Sequence, residues 1–204
     1  MERVLIVEDD DFTRVLLQRA CTSFGHHCTA VASAVEARDA WRESTFDVAV
    51  FDLDLGPGPT GVDLARVLHE ENPDVRMIIL THYTDIRLAG NLPEVPPDVV
   101  LATKQAVDSA ESLDELIRGA QSSTKDYANE DLSDSQVELL RLIAAGCTNA
   151  EIARRLWLSQ PGVDKAAARL AQHLGIESAS AHNRRVLLVQ EYFRRTGQGH
   201  VPQA

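Results

Sequence analysis

No apolar run in this 204-residue chain approaches the ~20 residues needed to span a bilayer. The start, Met1-Glu2-Arg3, lacks the charged and apolar regions of a signal peptide. A cytoplasmic protein without a membrane role is expected. Cysteine is scarce: Cys21, Cys28 and Cys147 are odd in number, far apart and without CxxC spacing, which speaks against a disulfide framework and a zinc site. Buried or partly buried free thiols are expected instead. His26-His27 reads as a solvated turn before a strand. Internal repeats and low-complexity segments are also missing.

What is present is globular. Hydrophobic residues make up 44% and charged residues 25% of the chain, enough for one large domain or two smaller ones, of which two are expected. Charge divides unevenly along it. Residues 1–130 carry 24 acidic and 11 basic side chains, net −13, whereas residues 131–204 carry 7 and 9, net +2. The second half therefore meets a different partner.

The first ~118 residues alternate apolar strands with amphipathic helices, the pattern of βαβ units on a parallel sheet. Strands are expected at Val4–Val7, Cys28–Ala32, Val48–Phe51, Arg76–Leu80 and Val99–Ala102. Helices are expected over about Asp11–Phe24, from the capping box Ser33-Ala34-Val35-Glu36 to about Glu43, over Gly61–Glu71, and from Ser112-Leu113-Asp114-Glu115 to near Gly119. Between the fourth and fifth strands, Pro93, Pro96 and Pro97 leave room for only a short helix. Gln121–Glu130 is polar and reads as a linker. Beyond it the chain is helical. Capping boxes at Ser133-Asp134-Ser135-Gln136 and Thr148-Asn149-Ala150-Glu151 precede stripes of Val137, Leu140, Ile143 and Ala144, then Ile152, Ala153 and Leu156. Pro161 opens a further helix that stops at Gly175, and Arg184–Arg195 supplies another. Two short helices across a tight turn make a helix-turn-helix candidate.

Carboxylates gather at strand ends. Glu8, Asp9 and Asp10 follow the first strand and Asp52 ends the third, at the edge where open α/β sheets bind ligands. Such an oxygen site suits Mg²⁺, and Asp52 can then act as a nucleophile toward a phosphoryl group. Thr81 after the fourth strand and Lys104 after the fifth bring a hydroxyl and an ammonium to the same edge.

These residues, in this order, resemble the receiver domain of bacterial two-component response regulators. The resemblance implies a flavodoxin-like (βα)5 doubly wound parallel sheet over residues 1–120. It makes Asp52 the phosphate acceptor, with a histidine kinase as donor. Asp9 and Asp52 become Mg²⁺ ligands, Glu8 an auxiliary ligand and the Asp54 backbone carbonyl a further one; Thr81 becomes the switch hydroxyl and Lys104 the phosphoryl's counter-charge. Three positions depart from the family's pattern. His82 stands where a small residue is usual, Leu101 replaces the aromatic switch residue, and Gln105 replaces a proline.

Residues 131–204, from Leu132-Ser133 through Ala150-Glu151-Ile152-Ala153 and Leu158-Ser159 to Leu174-Gly175-Ile176, resemble the LuxR-type helix-turn-helix of NarL/FixJ regulators. The resemblance implies a small all-α domain whose helix opening near Gln160 enters the major groove of double-stranded promoter DNA. Lys165 and Arg169, one turn apart, are candidates for base or phosphate contacts, and Thr148 and Asn149, at a helix amino terminus, for phosphate positioning. Asp164 would repel phosphates, Ala166 stands where relatives carry histidine, and Gly162 costs that helix about 1 kcal/mol relative to alanine. Arg154 and Arg155 are expected to be solvated. The last amphipathic stretch, Val186, Leu187, Val189, Gln190 and Phe193, packs on the helix-turn-helix or forms the seam of a homodimer.

The expectation is thus a two-component transcription factor and not an enzyme. Two other readings exist. An atypical regulator would answer to a ligand or protein partner instead of phosphate, motivated by His82 and Leu101. A haloacid-dehalogenase-type phosphatase would use Asp52-Leu53-Asp54 as its DxD pair, but that fold begins with DxD, whereas here an acidic triplet lies one βαβ unit upstream.

Overall fold

A computed structural model of the chain describes residues 1–90, 95–119, 132–176 and 180–197, and at 181 and 182 the backbone alone. The described residues form two compact units. One comprises 1–81 with 95–119; the other comprises 82–90 with 132–176 and 180–197. The linker expected over Gln121–Glu130 lies outside the described residues.

In the first unit, strands β1 (Arg3–Val7), β2 (His27–Val31), β3 (Val48–Asp52), β4 (Arg76–Thr81) and β5 (Val100–Thr103) pair in parallel in the order β2-β1-β3-β4-β5. This is the flavodoxin-like, doubly wound order. Helices α1 (Asp11–Ser23), α2 (Ala34–Glu43), α3 (Gly61–Glu71) and α4 (Ala110–Ile117) connect or follow the strands. Alternate strand residues Val4, Ile6, Val48, Val50, Ile78 and Leu80 pack with Cys21 of α1 and with Leu113, Leu116 and Ile117 of α4. Their neighbours Leu5, Val7, Ala49, Phe51, Met77 and Ile79 are equally buried and point to the other face, where α2 and α3 touch the strands. Burial on both faces is why these strands read as unbroken apolar runs.

Register aligns the functional edge. Val7 pairs with Phe51, Asp52 with Leu80, and Thr81 with Thr103. Glu8, Asp52, Thr81 and Lys104 therefore leave the sheet side by side, beginning at the β1/β3 boundary where strand order reverses.

Local chemistry sets the helix starts. The Asp10 carboxylate accepts the Thr13 amide at 2.8 Å, and Thr60 with Asp63 forms a reciprocal capping box. Two expectations are corrected here. α4 begins earlier than Ser112: its N-cap is Ser109, and the Ser109 and Ser112 hydroxyls each accept the other's backbone amide at 3.1 Å. Serine in place of Glu or Gln at the third position hides this box from the usual pattern. His26 is not solvated. It is buried, with Nδ1 accepting the Glu2 amide at 3.1 Å and Nε2 2.7 Å from the Asp114 carboxylate. His27 is exposed. As expected, the cysteines are free thiols, Cys21 and Cys147 buried and Cys28 half-buried.

The second unit packs α5 (Asp134–Ala144), α6 (Asn149–Arg155), α7 (Gln160–His173) and α8 (Ala181–Thr196) around Val137, Leu140, Ile143, Ile152, Val163, Leu170, Leu188 and Tyr192. In the α6–α7 turn, Ser159 accepts the Gly162 amide at 3.1 Å and Pro161 occupies the first turn of α7. Trp157 in that turn takes φ +55° and is 93% exposed. On α8 the buried positions are Leu188, Tyr192, Arg195 and Thr196. Val186 and Gln190, assigned from sequence to the apolar face, are exposed.

This unit also includes a segment that precedes β5 in the chain. Residues 82–90 carry one 3₁₀ turn, Ile86–Ala89, capped by Asp85, in place of the full helix that a (βα)5 pattern puts there.

Candidate functional site

Glu8 follows β1, its amide donating to Val31 O at 3.1 Å. Asp52 ends β3 and is followed by Leu53, whose amide donates to Leu80 O at 2.9 Å. Lys104 follows β5, and its amide donates to Thr81 O at 2.7 Å. These backbone bonds fix the strand ends that the side chains share. The Lys104 ammonium donates to Glu8 Oε1 at 2.9 Å, to Glu8 Oε2 at 2.8 Å and to Asp52 Oδ2 at 2.8 Å. Glu8, Asp52 and Thr81 are buried, while Asp9 is exposed.

Glu8, Asp9 and Asp52 each present an oxygen, and these atoms lie within 4.8 Å of one another. Three carboxylates face one ammonium. Burial, reinforced by the Asp52 charge and partly offset by Lys104, pushes the Glu8 carboxyl up to about 7. Burial opposes the charge on Lys104, but Asp52 and Glu8 outweigh it and hold the ammonium above its ordinary range. The Thr13 amide holds Asp10 below the usual carboxylate range. Surplus negative charge on hard oxygen donors, two buried and one facing water, fits a small divalent cation.

The sequence-selected residues Glu8, Asp9, Asp52 and Lys104 are thus brought together. Thr81 ends the strand between Asp52 and Lys104, and Asp54 is half-buried two residues beyond Asp52. Sequence reasoning missed two supporting residues. A Cβ on Gly61 would lie 2.0 Å from Asp52 O, so only glycine lets α3 start against the end of β3. The Gly61 amide donates to Leu53 O at 2.8 Å. The Arg14 guanidinium donates to Glu8 O at 2.8 Å and Asp9 O at 3.3 Å, holding the acidic loop by its backbone. Neither contact leaves a side-chain pattern; the Thr60-Gly61-Val62-Asp63 cap is the one local clue.

In the helical unit, Gln160, Lys165 and Arg169 are exposed on α7 while Val163, Leu170 and Ala171 are buried. Arg154 and Arg155 are exposed. The Thr148 hydroxyl caps α6, exchanging bonds with Glu151. Asn149 donates to Asp164 Oδ1 at 2.7 Å and accepts from Arg185 at 3.0 Å. Asp164 thereby ties the start of α6 to α7.

Residues 4–95 match the response regulator receiver domain, and residues 130–186 match the bacterial regulatory proteins of the luxR family. The DNA-binding transcriptional activator DevR/DosR of Mycobacterium tuberculosis is 35% identical over 150 residues, 64% of this chain and 68% of the relative. The oxygen regulatory protein NreC of Staphylococcus carnosus is 27% identical over 169 residues, 72% of this chain and 78% of its own. A solved complex of the two-component response regulator RcsB with DNA shares the fold at TM-score 0.55 and 20% identity, covering 92% of this chain and 98% of that one. Among the described residues no helix is long and apolar enough to cross a membrane. The chain belongs to the response regulators of the NarL/FixJ type, which join a receiver domain to a LuxR-type helix-turn-helix.

Proposed function

We propose that Asp52 accepts a phosphoryl group from a histidine kinase and that its phosphorylation state sets the binding of the helical unit, as a homodimer, to promoter DNA. The observation that carries this reading is the half-buried Lys104 ammonium bonded at once to Asp52 and Glu8. It fixes the acceptor carboxylate and supplies a positive charge beside the oxygen that would receive the group. An Asp52 oxygen attacks phosphorus, the bond from phosphorus to the kinase imidazole nitrogen breaks, and that nitrogen keeps the electron pair. Lys104 pairs with the new phosphoryl oxygens, and the Thr81 hydroxyl donates to one of them.

Glu8, Asp9, Asp52 and the Asp54 backbone carbonyl are the residues assigned to hold Mg²⁺, which when bound neutralises charge on the transferring oxygens. The chain is read as a regulator working in the cytoplasm, not as a catalyst with its own substrate. The receiver occupies residues 1–120, the linker 121–130 and the DNA-binding domain 131–204. On α7, Gln160, Lys165 and Arg169 face base edges and phosphates, with Thr148 and Asn149 at the start of α6 positioning the backbone. Dimeric binding is supported by a structural relative, solved as two RcsB dimers bound to two parallel DNAs. Incubation with a small phosphodonor and Mg²⁺, followed by intact-mass measurement, adds one phosphoryl group to the native chain and none to Asp52→Asn. An unmodified native chain overturns the reading and favours control by a ligand or protein partner.

A further inference from the structure

The loop between β1 and α1 carries more negative charge than it can hold together by itself. Glu8, Asp9, Asp10 and Asp11 are four carboxylates in succession, and Asp52 stands beside them, so like charges push the loop toward water. Asp9 is exposed, yet it keeps an oxygen within 4.8 Å of those of Glu8 and Asp52.

Arg14, at the start of α1, supplies a restraint. The half-buried guanidinium donates from Nη1 to Glu8 O at 2.8 Å and to Asp9 O at 3.3 Å, and from Nη2 to the Asp11 carboxylate. Its helix is fixed to the same loop, since the Asp10 carboxylate accepts the Thr13 amide and Asp10 O accepts the Arg14 amide at 2.9 Å. Arg14 grips carbonyls, while the Glu8 and Asp9 carboxylates keep their oxygens at the shared site. The loop that follows β3 meets the same carboxylate closely. There Gly56 takes φ +73°, and a Cβ on it would lie 3.3 Å from Asp9 Oδ2. A side chain at Gly56 would strain the backbone and crowd that oxygen.

We propose that Arg14 is a positioning residue for the divalent cation: on the reading of Glu8, Asp9 and Asp52 as the Mg²⁺ site, its hold on two carbonyls keeps the Asp9 carboxylate gathered with the others before the ion arrives. Charge and positioning act in opposite directions here, which makes the role measurable. A guanidinium beside a cation site repels the ion, so by charge alone its removal tightens Mg²⁺ binding. Where the hold on the loop dominates, removal lets Asp9 drift into water, and regathering it lowers affinity. Arg14 does not touch the transferring group in this role, so the step that follows Mg²⁺ binding keeps its rate.

Calorimetric titration of the full chain with Mg²⁺ tests it, alongside phosphoryl uptake from a small phosphodonor measured over a range of Mg²⁺ concentrations. Arg14→Met should weaken Mg²⁺ binding about tenfold and raise the Mg²⁺ concentration for half-maximal uptake in parallel. The rate at saturating Mg²⁺ should stay within about twofold of native. Arg14→Lys, whose single nitrogen replaces the fork, should show a smaller loss of the same sign and stands in if the methionine variant does not fold. Gly56→Ala, which displaces the same carboxylate from the neighbouring loop, should also weaken binding. Affinity that is unchanged or tighter in the Arg14 variants overturns the positioning role and leaves the site in place. Native affinity in Gly56→Ala overturns it as well, because the placement of Asp9 would then not set the affinity. A lower maximal rate with unchanged Mg²⁺ demand does the same, as the mark of general loosening. No Mg²⁺ binding by the native chain overturns the site itself, and the role of Arg14 with it.

Discussion

The backbone oxygen of Asp52 lies 2.0 Å from the position a Cβ on Gly61 would take, so β3 and the first turn of α3 meet with no room for a side chain. Gly61→Ala must push the two apart. The expected cost is about 1–3 kcal/mol of stability, read by urea denaturation, together with slower phosphoryl uptake because Asp52 moves. Native stability and native uptake in this variant would contradict the close approach.

Lys104→Met removes the cation from between two buried carboxylates. Leaving such charges unpaired costs about 3–5 kcal/mol at neutral pH. The loss should shrink at low pH, where the Glu8 carboxyl, pushed up to about 7, takes up its proton, and on addition of Mg²⁺. A loss that is equal at pH 5 and pH 8 would show that packing, not charge, sets the effect.

Glu8 carries the pH dependence. Its carboxyl is pushed up to about 7 in the folded chain, against an ordinary value near 4.3 unfolded. The folded state therefore holds this proton more tightly, and without metal its contribution to stability falls as pH rises from about 4.3 to about 7, then levels. A cation must displace the same proton. Calorimetric titration with Mg²⁺ should show affinity rising about tenfold between pH 6 and 8, with proton release at the lower pH. Flat affinity would remove Glu8 from the site.

Much of this was legible in the chain itself, and the parts that were not share a cause. Val4–Val7, Val48–Phe51 and Arg76–Leu80 announce buried parallel strands because both faces are covered, and the acid, hydroxyl and ammonium at their ends fall at one edge once the strands align. Gly61 and Arg14 act on backbone atoms, which carry no residue pattern. The burial of His26 is decided by Asp114, 88 residues away. Residues 82–90 join the helical unit through Tyr192, Arg195 and Asp134, contacts that no local periodicity encodes.

Trp157 takes a left-handed φ of +55° with its side chain 93% exposed, so it bears strain with little packing to offset it. Trp157→Asn, a residue that tolerates this conformation, should stabilise the helical unit by about 1 kcal/mol in thermal unfolding. Destabilisation would show that the indole makes a contact that this conformation serves.

Lys165 is exposed on α7. Lys165→Ala should weaken DNA binding and flatten its dependence on salt by a slope of about one, the signature of a lost phosphate contact. Anisotropy titrations at several salt concentrations measure both quantities. Unchanged affinity would take Lys165 out of the interface.

Peptide mapping after incubation with a small phosphodonor and Mg²⁺ tests whether Asp52 is the acceptor and keeps its phosphoryl group. One stoichiometric modification is expected on the peptide containing Asp52, retained in Asp54→Asn and absent in Asp52→Asn. Modification that persists in Asp52→Asn, or many turnovers of free phosphate from a generic ester, would contradict it.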